Sequence, residues 1–335
     1  MGSLDTFGRQ AVDLRVSLTD RCDLRCTYCM PEQGMTWLAK PTLLTDEEVV
    51  RLVRIAVTLL GGVREVRFTG GEPLLRPGLV GILTACARLQ PRPELSLTTN
   101  GIGLARTAAA LRGAGLDRVN VSLDTLDPRT FQRLSRRDRH HDVLAGLTAA
   151  RAAGLSPIKV NTVLMRGIND HEAPDLLAWC LERGYELRFI EQMPLDPQHG
   201  WDRSTMVTAA EILDRLSTRF TVTPEPAGRR GSAPAERWIV DGGPARVGVI
   251  ASVTQPFCRA CDRTRLTADG QVRNCLFATG ETDLRTALRE GGDDPRTDAR
   301  IAELWRAAMW GKKAGGGIGD PDFHQPERPM SAIGG

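Results

Sequence analysis

Short apolar, β-branched segments alternate with longer amphipathic stretches from the N-terminus to about residue 220, and this alternation narrows the fold more than any other feature. Six segments read as strands: Leu14 to Leu18, Glu65 to Phe68, Leu95 to Thr98, Arg118 to Leu123, Ile158 to Leu164 and Leu187 to Ile190. Between the first two, Thr45 with Glu48 three residues on forms a capping-box pattern, and Gly61-Gly62 closes the helix it opens. Strands joined by helices run parallel with right-handed crossovers, so the pattern allows an open doubly wound sheet or a partial barrel. Unusual residues gather directly after strands, at Thr69-Gly70-Gly71-Glu72, Thr99-Asn100-Gly101, Ser122-Leu123-Asp124 and Glu191-Gln192-Met193. These are C-terminal strand ends, the edge at which either architecture binds ligands.

After residue 220 the rhythm breaks into Pro-, Gly- and Arg-rich sequence from Pro224 to Pro234, with a hairpin expected around Asp241-Gly242-Gly243. The expected division is therefore a βα domain over residues 1–220 and a smaller C-terminal module over residues 221–335. The tail from Gly311 onward, rich in Gly and Pro, is expected to lack regular structure. A net charge of +3 from 44 basic and 41 acidic residues creates no field suited to nucleic acid or an anionic membrane. No targeting pattern opens the chain, and no charge-free apolar run approaches the ~18 residues of a membrane span. A cytoplasmic protein with no membrane and no nucleic-acid partner is expected.

Of eight cysteines, Cys86 and Cys180 lie alone in apolar helical patterns and read as core. The other six form two trios. Cys22, Cys26 and Cys29 occupy one short loop after the first strand, and three thiolates on a 4Fe-4S cluster leave one iron open to a small molecule. Zinc, the alternative, wants four ligands in a closed tetrahedron, and no histidine lies nearby to complete one. Cys258, Cys261 and Cys275 again offer three thiolates, which suggests a second cluster. Zinc is a stronger rival there, because a two-residue spacing suits a ribbon and His324 is available as a remote fourth ligand. Arg263 and Arg265, just beyond Cys261, favour an anion clamp over a ribbon, since guanidinium forks suit phosphates.

The run Ser17-Leu18-Thr19-Asp20-Arg21-Cys22-Asp23-Leu24-Arg25-Cys26-Thr27-Tyr28-Cys29-Met30-Pro31 resembles the signature of the radical S-adenosylmethionine superfamily, although Asp23 stands where asparagine is more usual. Phe68-Thr69-Gly70-Gly71-Glu72-Pro73 resembles that superfamily's glycine motif. The resemblance implies a partial six-unit βα (TIM-like) barrel, with Tyr28, Gly71, Glu72, Ser122 and Met193 contacting S-adenosylmethionine. Glycines at a strand end let backbone groups approach the methionine amine, from which Glu72 can accept.

Over nearly its whole length the chain also resembles the GTP 3',8-cyclase family of molybdenum cofactor biosynthesis. The matching segments are Asn120-Val121-Ser122-Leu123-Asp124, Arg188-Phe189-Ile190-Glu191, Cys261-Asp262-Arg263-Thr264-Arg265-Leu266-Thr267 and the terminal Gly334-Gly335. This resemblance implies two 4Fe-4S clusters, and a GTP pocket lined by Arg15, Arg67, Thr98, Lys159, Arg263 and Arg265. Arg15 alternates with apolar neighbours and should point inward, whereas Lys159 can equally be a core-edge residue. The implied reaction is a lyase step: a 5'-deoxyadenosyl radical removes the ribose 3' hydrogen, the carbon radical attacks C8 of guanine, and the second cluster anchors the purine. Arg15, Gly334 and Gly335 are the implied catalytic residues. Implied partners are flavodoxin or ferredoxin as electron donor, cyclic pyranopterin monophosphate synthase downstream, and a second copy of the chain in a homodimer. The competing readings are a radical enzyme that modifies peptides, which would carry more cysteines, and a non-catalytic zinc or iron–sulfur protein that binds nucleic acid, disfavoured by near-neutral charge and few aromatics.

Overall fold

In the computed structural model, which describes residues 2–226, 230–320 and 322–334, all six expected strands are present. They are β1 (Asp13–Ser17), β2 (Glu65–Thr69), β3 (Glu94–Thr99), β4 (Arg118–Ser122), β5 (Ile158–Val163) and β6 (Glu186–Ile190), each parallel to the next. Helices α1 (Asp46–Leu59), α2 (Leu79–Ala87), α3 (Leu104–Gly113), α4 (Pro128–Ser135), α5 (His140–Ala152) and α6 (Ala173–Glu182) lie between them. Both bonds of the capping box form at α1: the Glu48 amide donates to Thr45 Oγ1 at 3.2 Å, and the Thr45 amide donates to Glu48 Oε2 at 2.8 Å. Gly61 then turns the chain at φ +70°.

Alternation along the strands decides the architecture. Leu14, Val16, Val66, Phe68, Leu95, Leu97, Val119, Val121, Val160 and Phe189 are completely buried on the helix-covered face. The opposite face carries Arg15, Arg67, Thr98, Asn120 and Arg188, too polar for a second helical layer. Residues from β1, β2, β3, β5 and β6 line one common cavity, so the sheet is rolled around that polar face. The fold is α/β, with a mostly parallel sheet like a TIM barrel left open.

The C-terminal residues extend both edges of this sheet. After α7 (Ala209–Ser217), the strands β7 (Val222–Pro224), β8 (Glu236–Val240) and β9 (Arg246–Ile250) form an antiparallel set, with the expected hairpin turning at Asp241 to Ala245; β9 runs parallel to β6. On the other edge β10 (Arg263–Leu266) runs parallel to β1, followed by β11 (Gln271–Arg273) and β12 (Thr282–Asp283). Helices α8 (Arg285–Gly291) and α9 (Pro295–Trp310) cover this edge, and the fully buried Trp305 of α9 donates its Nε1–H to Thr264 Oγ1 at 2.8 Å. The tail departs from the expectation of irregular structure by ending in a helical turn, α10 (Met330–Ile333). It is anchored by Arg328, whose guanidinium pairs with Asp269 and Glu281, each at 2.8 Å. Among the described residues no helix is long and apolar enough to cross a membrane.

Candidate active site

The loop after β1 folds back on itself: the Cys29 and Met30 amides both donate to the Cys26 carbonyl at 2.9 Å. The C-terminal end of α4 braces it, the carbonyls of Ser135 and Leu134 accepting from the Arg25 and Thr27 amides at 3.0 and 2.9 Å. Arg136, in the left-handed region at φ +55°, donates to the Arg25 and Met30 carbonyls. Tyr28 donates its hydroxyl to Asp124 Oδ2 at 2.7 Å. All three thiols face a chamber that Gly71, Ser122 and Met193 also line. Burial, with Glu72 nearby, pushes the Cys22 thiol up to about 12, and burial beside Asp124 pushes Cys29 up to about 11. Thiolates in such surroundings need a cationic partner, which the irons of a cluster provide.

Packing within the chain itself already demands the two glycines. A Cβ on Gly70 would lie 2.3 Å from the Thr19 carbonyl oxygen, and one on Gly71 would lie 2.2 Å from that of Arg21, so close approach here is to the start of the cysteine loop. Glu72 is buried beneath them. Its Oε1 accepts from Thr99 Oγ1 at 2.7 Å and the Leu74 amide at 2.9 Å, and its Oε2 from the Asn100 amide at 2.7 Å. Burial raises this carboxyl to about 7. It ties β2 to β3 and is absent from the chamber lining.

A second chamber is lined by Cys258, Cys261 and Cys275 together with Arg15, Arg67, Arg188, Arg263 and Arg265. Five guanidiniums converge there with one buried carboxylate among them, Asp13, whose Oδ2 lies 3.7 Å from Arg15 and Arg67 and 3.8 Å from Arg263. Burial works against ionisation of Asp13, but Arg67, Arg15 and Arg263 outweigh it and hold the carboxyl down to about 2. Burial and neighbouring guanidiniums lower Arg188 to about 9 and Arg265 to about 10. The Nε groups of Arg15 and Arg263 have no hydrogen-bond partner. A site so rich in unmatched positive charge is built for a polyanion. The two chambers share Thr98, Asn161, Ile190 and Met193, so a molecule in one abuts a molecule in the other.

Among the described residues no three His, Cys, Asp or Glu side chains converge on one point as a single-ion site requires.

The tail reaches the junction between the strands. Gly334, at φ +82°, sits where a Cβ would lie 2.5 Å from Ser17 Oγ and 2.6 Å from Thr69 Cγ2, and Arg265 donates to its carbonyl. Gly335 lies outside the described residues. Lys159 does not line the arginine chamber; its ammonium lies 3.4 Å from Glu186, in an adjoining cavity that shares Arg188 and Pro234. Asn161 and Asp13 are candidate site residues that motif reasoning did not single out, and Arg188 entered only as part of a matching segment, without a role. The available signal was strand alternation: Asp13 is two residues before Arg15, and Arg188 two before Ile190.

Residues 16–180 match the model of the radical SAM superfamily, and residues 185–317 match that of Molybdenum Cofactor Synthesis C. Over 332 residues, 99% of this chain and 96% of the relative, the sequence is 73% identical to the GTP 3',8-cyclase of Streptomyces coelicolor. The chain belongs to the GTP 3',8-cyclase family. Another member, GTP 3',8-cyclase 2 of Mycobacterium tuberculosis, is 61% identical over 336 residues, covering 99% of this chain and 92% of the relative. The crystal structure of Streptococcus suis SuiB bound to S-adenosylmethionine has the same fold, with a TM-score of 0.60 at 13% identity over 93% of this chain and 70% of that one. Membership makes the chain a radical enzyme, with S-adenosylmethionine and two 4Fe-4S clusters as cofactors.

Proposed function

We propose that this chain converts GTP to (8S)-3',8-cyclo-7,8-dihydroguanosine 5'-triphosphate, a radical ring closure early in molybdenum cofactor biosynthesis. The observation that carries the reading is the set of five guanidiniums lining one chamber beside the second cysteine trio, with a single buried carboxylate, Asp13, among three of them. Arg15, Arg67, Arg263 and Arg265 hold the phosphates, and Lys159, beyond Arg188, takes the distal end of the triphosphate. Thr98, on the wall common to both chambers, faces the ribose.

Cys22, Cys26 and Cys29 would hold the first cluster, and Cys258, Cys261 and Cys275 the second, which would supply a Lewis-acid anchor for the purine. With S-adenosylmethionine bound, the first cluster supplies the organic radical that starts the reaction. Gly71, Ser122 and Met193 frame that cofactor from the strand ends, Tyr28 and Glu72 hold the walls in shape, and the shared wall brings the reacting carbons into proximity. Arg265 ties the tail at Gly334, so that Gly334 and Arg15 close the site against water and side reactions. Residues 1–220 thereby hold S-adenosylmethionine and the first cluster and contribute Arg15, Arg67, Thr98 and Lys159 to the substrate site, and residues 221–335 add the second cluster, Arg263, Arg265 and the tail. The reading includes a flavodoxin or ferredoxin as one-electron donor, cyclic pyranopterin monophosphate synthase as consumer of the product, and a cytoplasmic homodimer.

Anaerobically reconstituted chain is expected to hold about eight irons. Given GTP, S-adenosylmethionine and a reductant, it should yield the cyclic nucleotide in step with 5'-deoxyadenosine. Formation of 5'-deoxyadenosine without consumption of GTP would refute the substrate.

A further inference from the structure

The two cysteine trios stand in opposite electrostatic surroundings. Around the first, Glu72, Asp23 and Asp124 are charged groups that act on the thiols, and the hydrogen bonds to the sulfurs come from neutral groups: Asn100 Nδ2 to Cys22 Sγ at 3.9 Å, the Leu24 backbone to Cys22 and the Tyr28 hydroxyl to Cys26. Among the described residues no Lys or Arg side chain donates to a sulfur of that trio.

The second trio has a buried lysine behind it. Lys312 follows the C-terminus of α9, its amide donating to the Met309 carbonyl at 3.0 Å, and only 3% of its surface is exposed. Its ammonium reaches the Cys261 carbonyl at 2.9 Å, the Arg263 carbonyl at 2.8 Å and Cys261 Sγ at 3.4 Å. An ammonium has three protons, and here each finds an acceptor. Lys312 does not line the arginine chamber, so it is not a substrate group. Arg263 Nη1 also lies 3.5 Å from Cys261 Sγ, but that guanidinium faces the chamber and its Nη2 donates to the Ser232 carbonyl. Lys312 alone is committed to the ligand.

We propose that Lys312 is a positioning residue for the second cluster: its ammonium donates to the Cys261 thiolate, fixes that ligand, and makes the second cluster easier to reduce than the first. The physical reason is that reduction adds negative charge, which a fixed buried cation beside a ligating sulfur stabilises and neighbouring carboxylates oppose. The difference suits the division of work, because the cluster that must drive a difficult reduction needs the lower potential and the one that anchors a purine does not. The inference rests on the second trio holding a cluster.

The test uses the full chain as wild type, Lys312→Met and Lys312→Arg, each reconstituted anaerobically. Iron is counted, and both clusters are titrated by electron paramagnetic resonance, S-adenosylmethionine marking the signal of the first. In wild type the second cluster should reduce at the higher potential. Lys312→Met should lower its reduced-to-oxidised ratio at fixed potential on the order of tenfold, about 59 mV for one electron, without moving the first cluster. Lys312→Arg, which keeps the charge, should restore most of the shift. Retention of about eight irons by Arg but only about four by Met supports the same conclusion. An unchanged potential in Lys312→Met, or equal loss of the cluster or of potential in both variants, would overturn it. Wild type with only about four irons would instead overturn the two-cluster reading itself.

Discussion

Asp13→Asn isolates the electrostatics of the arginine chamber. Asparagine keeps the shape of the side chain and removes the one carboxylate that Arg15, Arg67 and Arg263 surround at 3.7–3.8 Å. The carboxyl is held at about 2, below its ordinary 3.8. Because the folded value is the lower one, the folded state gains stability from the ionised form. That gain is fully present above the ordinary value and fades as pH falls towards 2. At neutral pH it amounts to about 2 kcal/mol, since each tenfold difference in proton affinity is worth about 1.4 kcal/mol. The variant should therefore unfold at a temperature several degrees lower at pH 7, measured by anaerobic scanning calorimetry without nucleotide. Inorganic triphosphate should recover more stability in the variant than in wild type, because it meets one additional unmatched guanidinium. Equal stability of the two proteins at pH 7, or equal stabilisation by triphosphate, would refute the claim that Asp13 balances the chamber.

Two further substitutions test the tail and the far end of the anion site. Gly334→Ala puts a Cβ against Ser17 and Thr69 at a positive φ, a conflict of about 1–2 kcal/mol from the backbone alone, and should raise deuterium exchange over residues 325–334 while lowering turnover; unchanged exchange would refute tail docking. Arg188→Ala, by removing a buried charged donor, should weaken GTP binding by about 10- to 100-fold in anaerobic calorimetry. Lys159→Ala should weaken GTP but not GMP, and equal effects on both nucleotides would refute its place at the distal phosphate.

How much of this was legible in the sequence depends on how local the signal was. The six strands and the capped α1 follow from periods of two and 3.6 residues and from cap residues three apart, interactions that a short segment decides by itself. The first trio was equally plain, because Cys22, Cys26 and Cys29 fall within one short loop and their spacing is read directly from the chain. The tail is irregular as expected up to its closing turn, Met330–Ile333, which composition did not announce because its docking depends on Arg328, Arg265 and a gap between Ser17 and Thr69. Likewise the glycine pair announced a close approach, but not that the approaching atoms would be the carbonyls of Thr19 and Arg21.

The sequence by itself determined the class of chemistry, through two cysteine trios and a strand-end glycine motif whose spacing survives any arrangement of the chain. Tertiary structure decided what surrounds that chemistry. Pairing of β10 with β1 sets Arg263 beside Asp13 and Arg265 beside Arg15, and the rolled sheet brings Arg188 to the same chamber from β6. Lys312 meets Cys261 across 51 residues. Which strand edges meet is a matter of long-range burial and register, and no local period encodes it. The balance of charge at each trio, and with it the difference between the two clusters, exists only once the chain has closed around them.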